Sequence, residues 1–344
     1  MTIYTVIGVD LAKHRFEVCG IDAHGKMSLK KSISRDHVAA YFANLPRTMI
    51  AVEACAGAHY WSRRLRELGH DARIIPAQFV RPFVKANKND AADAGAIAEA
   101  ATRPEIRFVP IKEQTHLDLQ TLHRVRDRLI HNRTALCNQL RAILVESGVN
   151  APKGISSLLE VVRAQLTVDE AFTPMCRITV VDLLAEHLEL SDRIDVNERR
   201  IHDHAKKSDV CQRLQSVPGV GPITATAIEA AVVDPSEFRN GRNFAAWIGL
   251  VPRHVATGGK TRLLGISKRG DGNLRRLLVN GAQARIHRAE GKTDRLSLWA
   301  LEVKTRRGLN KAVVALANKN ARIIWSLLMD KEARFDGNHS RTAS

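Results

Sequence analysis

Four acidic residues stand where a chain could gather carboxylates around a divalent cation. Asp10 ends the β-branched apolar run Ile3-Tyr4-Thr5-Val6-Ile7-Gly8-Val9, and Glu53 ends a second such run, Met49-Ile50-Ala51-Val52. Both acids adjoin residues bound for a core, where an unpaired carboxylate is costly, so each needs a partner. Asp90 and Asp93 lie three apart in Lys88-Asn89-Asp90-Ala91-Ala92-Asp93-Ala94-Gly95, which reads as the start of a helix with both acids on one face. In isolation such a pair is more often an N-cap and a first-turn acid complementing the helix dipole. Taken together, four hard oxygen donors on separate elements, with no His or Cys among them, suit magnesium or manganese and the two-metal chemistry of phosphoryl transfer.

The elements that must position these acids read as an α/β domain. An apolar strand over 3–9 is followed by an alternating strand over 15–21, a turn at Asp22-Ala23-His24-Gly25 and a third strand over 27–33. A helix over 36–44, a buried strand over 49–53, a helix over 59–68 and a strand over 72–75 complete a mixed sheet. An acid ending strand one, a second ending a later strand, and Asp-x-x-Asp opening a helix is the layout of RNase H-like nucleases. Residues 1–110 are therefore expected to form such a domain.

Beyond residue 110 the pattern turns helical. Leu122, Val125, Leu129, Leu136, Leu140 and Ile143 approach heptad spacing, and a second long helix over 178–205 uses Val181, Leu184, Leu188, Ile194 and Ile201. A looser connection over 148–174 carries a short helix. With Asn132 and Asn197 at seam positions, the pair reads as an antiparallel hairpin or a dimerising coiled coil, and equally as a bundle closed within one chain. This helical oligomerisation region is assigned to 111–210. The remaining 211–330 read as a mainly helical basic domain, with helices over 223–231, 274–287 and 311–328 around a Gly- and Arg-rich stretch; 331–344 read as a disordered tail.

Charge supports a polyanionic partner. Of the net +17, residues 206–344 contribute +14, with 25 Lys/Arg against 11 Asp/Glu. DNA or RNA gains from such a surface by counterion release, whereas no strongly amphipathic basic helix stands ready for a membrane. Arg253, Lys260, Arg262, Lys268, Arg269, Arg275 and Arg276 crowd a Gly-rich loop, which favours phosphate contacts over a generic solvated face. Gly219-Val220-Gly221 resembles a helix-hairpin-helix turn whose amides can hold a phosphate, with a plain helix-helix turn as the alternative. Five scattered cysteines argue against a disulfide framework or a structural zinc site. Without a signal peptide or a long apolar run, the chain is expected to be soluble and cytoplasmic.

The ordered motifs Gly8-Val9-Asp10, Val52-Glu53-Ala54, Asn89-Asp90-Ala91-Ala92-Asp93-Ala94, Pro218-Gly219-Val220-Gly221, Ala246-Trp247-Ile248-Gly249-Leu250-Val251-Pro252, Thr257-Gly258-Gly259-Lys260 and Ile266-Ser267-Lys268-Arg269-Gly270-Asp271 span nearly the whole chain. In these the sequence resembles the insertion-sequence 110/1111 family of transposases, DEDD transposases also described as bridge-RNA-guided recombinases. The resemblance implies a RuvC-like domain whose metal-binding tetrad is Asp10, Glu53, Asp90 and Asp93, with magnesium, or manganese in its place. It also implies a coiled coil that assembles homodimers into a homotetramer, and a C-terminal transposase domain with a serine nucleophile. Donor and target DNA would be chosen by pairing with a structured guide RNA, the protein reading backbone shape and charge. The serine is expected just before Thr257-Gly258-Gly259, and there this sequence has Ala256, whose methyl cannot attack phosphorus. The resemblance therefore predicts a chain unable to form a covalent phosphoserine. Thr257 is one residue out of place for in-line attack, and Ser267, among Lys268 and Arg269, reads equally as a phosphate contact.

Rival functions leave different marks. A tyrosine recombinase needs a tyrosine in its basic domain, and Tyr4, Tyr41 and Tyr60 all lie upstream. A RuvC-type junction-resolving endonuclease would use the same four acids with water as nucleophile. In a non-enzymatic nucleic-acid scaffold the acids would be structural.

Overall fold

The computed structural model describes residues 3–84, 90–257 and 260–336, which divide into two compact units, 1–115 and 116–344. The expected tail falls partly outside the described residues.

Alternation along the first strand decides the architecture of the N-terminal unit. In β1 (Tyr4–Leu11), Ile7 and Val9 face one side of the sheet and Val6, Gly8 and Asp10 the other. β1 pairs antiparallel with β2 (Arg15–Asp22), which pairs antiparallel with β3 (Met27–Ser34). After α1 (Val38–Ala43), β4 (Met49–Glu53) joins β1 in parallel, and after α2 (Ala58–Glu67), β5 (Asp71–Ile75) joins β4 in parallel. The order β3-β2-β1-β4-β5 is the expected mixed sheet. Ile7, Val9, Phe16, Val18, Ile50 and Val52 pack with Phe42 of α1 and Trp61 and Leu65 of α2. On the opposite face Val6, Ile21, Ala51 and Ile75 pack with Val80 of α3 (Ala77–Val80) and Ile97 and Ala98 of α4 (Asp90–Ala101). Both faces are covered, which is why β1 and β4 are apolar on both sides except at their ends.

The second unit begins with α5 (Gln114–Glu146), α6 (Ile155–Leu166) and α7 (Pro174–Lys207), the last started by Pro174 and by Thr173 Oγ1 accepting the Cys176 amide at 3.3 Å. Arg126 pairs with Glu198 at 2.6 Å, and Arg133 Nη1 donates to Ser191 Oγ at 3.4 Å. Seven residues forward on α5 thus match seven backward on α7, an antiparallel pair within one chain. Two seam expectations need correction. Asn132 is exposed because α5's buried stripe runs Leu129, Leu136, Leu140, Leu144, with Arg133 on its edge. On α7 the stripe is Val180, His187, Leu190, Ile194, Asn197 and Ile201, one residue away from the expected Val181 and Leu188, which face outward.

The remaining body is built from α8 (Asp209–Gln215), α9 (Pro222–Ala231), α10 (Gly241–Ile248), α11 (Gly272–His287), α12 (Arg295–Arg307) and α13 (Leu309–Met329). Leu214, Ile228, Phe244, Ile248, Leu278, Leu316 and Ile324 share its core. Buried Arg213 donates to the carbonyls of Leu327 and Asp330 and to Asp209 Oδ2, so its charge is paired while it satisfies the end of α13. Between α10 and α11 stands a two-stranded hairpin, β6 (Pro252–Thr257) and β7 (Lys260–Ile266). These strands carry no clear signal in the mixed Gly- and Arg-rich stretch, which lacks the alternation that a buried sheet face imposes: β6 is exposed at every position.

His123 of α5 is buried with its Nε2 3.0 Å from Thr226 Oγ1 of α9. Burial, followed by the nearby Arg126, lowers its pKa to about 4. The imidazole is neutral in the folded protein, whereas the unfolded chain takes up a proton near the ordinary histidine value of about 6.5. Stability is therefore full above that value and falls as pH drops toward about 4, by up to about 3 kcal/mol. His123→Gln should flatten the difference in urea midpoint between about pH 7 and about pH 4.5; an unchanged difference would show that other groups carry the acid sensitivity.

Candidate active site

The pairing of β1 with β4 runs Gly8 to Ala51 and Val9 to Val52, so Asp10 and Glu53 leave adjacent strands side by side. On the other side β1 pairs Asp10 with Glu17 and Gly8 with Cys19. Residues two apart share a face, so Glu17, Asp10 and Glu53 form a row across three strands spaced about 4.8 Å apart. Behind it lies a row of small residues, Cys19, Gly8 and Ala51, on the face that α4 covers.

Gly8 is what lets α4 come so close. A Cβ built on it would lie 2.3 Å from the Ala94 carbonyl oxygen and 2.4 Å from the Ala98 amide nitrogen. Backbone therefore touches backbone where α4 crosses β1, one residue beyond Asp93. The consequence is electrostatic. Glu53 has its pKa raised by burial and then by the Asp93 carboxylate, with Arg81 opposing. The Cys55 thiol is likewise raised, by burial and then by Asp10 and Glu53. Asp10, Glu53 and Asp93 are all half-buried. A carboxylate such as Glu53, disfavoured in its charged form by burial and by a neighbouring acid, is a setting in which a divalent cation is stabilising. Asp90 opens α4, and its side chain lies outside the described residues.

Three neighbours of the acids escaped the sequence reading. Glu17 takes the place opposite Asp10, where its Oε1 accepts from Ser32 Oγ at 2.5 Å. Cys55 follows Glu53 by two residues, a proximity visible in the sequence. Arg81 comes from the 3-10 turn Arg81–Phe83, which no local pattern tied to the acids.

In the second unit, exposed Ala256 pairs with Thr261 across the hairpin, and Thr257 with Lys260. Adjacent strand residues face opposite sides, so the Thr257 hydroxyl is turned away from the side Ala256 occupies. Gly258 and Gly259 lie outside the described residues, as do the side chains of Lys260 and Thr261. The root of the hairpin is clamped. A Cβ on Gly249 would meet the Arg269 carbonyl oxygen at 2.1 Å and one on Gly270 the Trp247 carbonyl oxygen at 1.8 Å, while the Ser267 amide donates to Val251 at 2.8 Å.

The basic candidates divide by what they touch. Arg253, Arg262, Lys268 and Arg269 are exposed and Ser267 half-buried. Arg275 is committed to structure, donating to the carbonyls of Ile248 at 3.0 Å and Arg269 at 3.3 Å, and Arg276 pairs with Asp127. A cleft of about 1360 Å³ separates the hairpin from α12 and α13, lined among others by Arg253, Lys268, Lys311, Lys319, Arg322 and Trp299. Lys319 Nζ lies 4.1 Å from the Trp299 ring centroid, and burial with Arg322 and Arg295 nearby lowers its pKa. These α13 cations were missed because they lie some 50 residues beyond the Gly-rich loop. At the other candidate phosphate turn, Gly219 packs against Gly281: its Cβ would meet the Gly281 carbonyl oxygen at 2.7 Å, whereas Gly221 borders open space. Gly219 thus serves helix packing, and Gly221 caps α9.

Residues 7–148 match a transposase family of the DEDD insertion-sequence 110 type, and residues 211–297 match the family described as transposase IS116/IS110/IS902. A probable family 20 transposase of Pseudomonas aeruginosa is 46% identical over 94% of this chain and 96% of its own length. The transposase for insertion sequence element IS1111A of Coxiella burnetii is 42% identical over 95% and 90%, and that for IS1328 of Yersinia enterocolitica 41% identical over 93% and 96%.

The Gly8 contact yields a specific expectation. Gly8→Ala must push α4 off β1, which should cost about 1–3 kcal/mol by overpacking and part Asp93 from Glu53. Manganese affinity, followed calorimetrically, should fall at least tenfold in a variant that still unfolds cooperatively; native affinity would mean that the close approach does not position the acids.

Proposed function

The chain belongs to the IS116/IS110/IS902 transposase family, and from that premise we propose that it is the recombinase of an insertion sequence, acting through a magnesium-dependent RuvC-like acidic site. The observation that carries this reading is the acidic row on the sheet face that α4 closes. Asp10, Glu53, Asp90 and Asp93 would hold the cation. Bound there, magnesium or manganese would neutralise the acids, draw in a scissile phosphate and polarise it toward displacement. Their partial burial limits competition from water, and Arg81 beside Glu53 limits the accumulated negative charge.

The covalent step belongs to position 256. A serine there would attack phosphorus, keeping the bond energy in a protein-DNA ester for rejoining. Ala256 has no lone pair to offer, and Thr257 faces the other side of the strand, so this chain binds and assembles without forming the ester. The same observation favours a second reading, a junction-resolving endonuclease whose acids activate water. Donor and target DNA are the substrates, and a structured bridge RNA supplies sequence choice by pairing. The basic cleft fits this division of labour, because its cations and Trp299 suit backbone and stacking contacts and not base readout.

Assembly is proposed to run through α7. Ile178, Val181 and Leu188 are 65%, 50% and 54% exposed, and with exposed Ala185 they form a stripe of heptad spacing on the face opposite α5. A second copy of the helix would cover it, giving a coiled-coil homodimer that pairs into a tetramer and could build each reaction centre from two protomers.

Two experiments test these assignments. With the associated RNA, magnesium and plasmid donor and target, Ala256→Ser should give recombination and a denaturation-resistant protein-DNA adduct that this chain does not give. Adding Glu53→Gln to that variant should abolish both. Equal cutting by both chains without an adduct would establish the water-dependent endonuclease instead. In sedimentation, Ile178→Glu combined with Leu188→Glu should convert an oligomer to a folded monomer; an unchanged oligomer would remove α7 from the interface.

A further inference from the structure

Where α7 ends, three side chains of different chemistry converge. His204 lies in the last turn of α7, buried Cys211 in α8 and Glu229 near the end of α9. His204 Nε2 is 2.8 Å and Cys211 Sγ 3.0 Å from Glu229 Oε2. The three donor atoms all lie within 4.8 Å of one another, the one such His/Cys/acid group among the described residues. Ser208, at the break between α7 and α8, donates its hydroxyl to Glu229 Oε1 at 2.9 Å and accepts the Cys211 amide at 3.2 Å.

We propose that His204, Cys211 and Glu229 form a second metal site, for a borderline-soft divalent cation such as zinc, pinning the end of α7 to α8 and α9. The donor types favour zinc over the cations suited to the all-oxygen tetrad, because thiolate and imidazole bind it at about 2.3 Å and 2.0 Å. In a tetrahedral centre with such bonds the donor atoms stand about 3.5 Å apart, so the two contacts to Glu229, at 2.8 and 3.0 Å, need open by less than about an ångström, and the third spacing lies within 4.8 Å. The charges close as well: one thiolate, one carboxylate and a neutral imidazole balance a dication, leaving no net charge in a partly buried place. His204, with 42% of its side chain exposed, gives the ion a path in, and a water can take the fourth position.

Without metal the cluster is a hydrogen-bonded hub. The Glu229 carboxylate is held below the usual range by donors from Cys211, His204 and Ser208 despite its burial, and burial with Glu229 alongside pushes the Cys211 thiol far up. Binding must therefore release the thiol proton to solvent and move the His204 proton from Nε2 to Nδ1, so that the sulfur and Nε2 lone pairs go to the metal while Glu229 trades hydrogen bonds for a metal bond. Zinc occupancy is accordingly expected to rise with pH.

The test uses cobalt as a spectroscopic stand-in for zinc, in the full metal-stripped chain carrying Cys55→Ser so that the exposed thiol two residues from Glu53 is removed. One equivalent of cobalt should produce a thiolate-to-cobalt charge-transfer band, which an all-oxygen site cannot give. Zinc should bleach it, and a large excess of magnesium should not. The band should vanish in Cys211→Ser and, through loss of the imidazole at a half-exposed position, weaken at least tenfold in affinity in His204→Ala. Circular dichroism confirms that each variant is folded; should Cys211→Ser not fold, the His204→Ala arm decides alone. No band in the Cys55→Ser chain, or a band that survives both substitutions, overturns the site and leaves the cluster as a polar hub.

Discussion

The contact between α4 and β1 at Gly8 is the constraint on which the N-terminal unit turns. A sheet face normally holds a helix at about 10 Å because side chains stand between them. Here the row Cys19, Gly8, Ala51 removes most of that spacing, and Ala94 and Ala98 remove it from the helix side. The acids sit one row further along, so the same small residues that bring the backbones together also lower α4 onto them. Packing energy from Ile97, Ile75 and Val80 on that face is thereby spent on burying and crowding carboxylates, and Glu53 has its pKa raised first by burial and then by the Asp93 charge.

The second unit uses the same device for a different end. Gly219 against Gly281 seats the turn before α9 on α11, and the close approaches of Gly249 to Arg269 and of Gly270 to Trp247 lock the root of the hairpin. With Arg275 donating across that root, the ribbon is fixed at its base, and β6 is exposed along its whole length. Such a ribbon buries almost no apolar area of its own. Its stability depends on the clamp and, along its strands, on whatever it meets, which accounts for Val255, Leu263 and Leu264 being left in solvent.

What could be read from the sequence follows from where the physics is local. β1, β4 and the Asp-x-x-Asp helix start announce themselves by periodicity and by acids abutting apolar runs, so the sheet and the convergence of Asp10 with Glu53 were legible. The heptad phase of α7 was not, because Val180 and Val181 are chemically equivalent and only the packing of α5, through Arg126 and Arg133, chooses between them. Arg81 beside Glu53, Lys319 beside Trp299 and the meeting of His204 with Glu229 depend on contacts between distant elements, to which a sequence window is blind. Two expected phosphate ligands, Arg275 and Arg276, have protein partners that the sequence does not announce, since a guanidinium serves a carbonyl or a carboxylate as readily as a phosphate.

Position 256 brings these strands of argument together. In a packed core, alanine for serine is a change of one hydroxyl with consequences for hydrogen bonding; on an exposed strand the hydroxyl can be met by solvent, and the change costs folding little. A residue whose type matters little to stability, on a segment clamped so firmly at its root, is constrained by something other than the fold. The clamp fixes direction, and strand geometry ties each side chain to one face, so a hydroxyl at 257 cannot stand in for one at 256 without twisting the ribbon against Gly249 and Gly270. On the proposed reading of position 256, the clamp that would aim a serine there would also keep the Thr257 hydroxyl, on the other face of the strand, from replacing it.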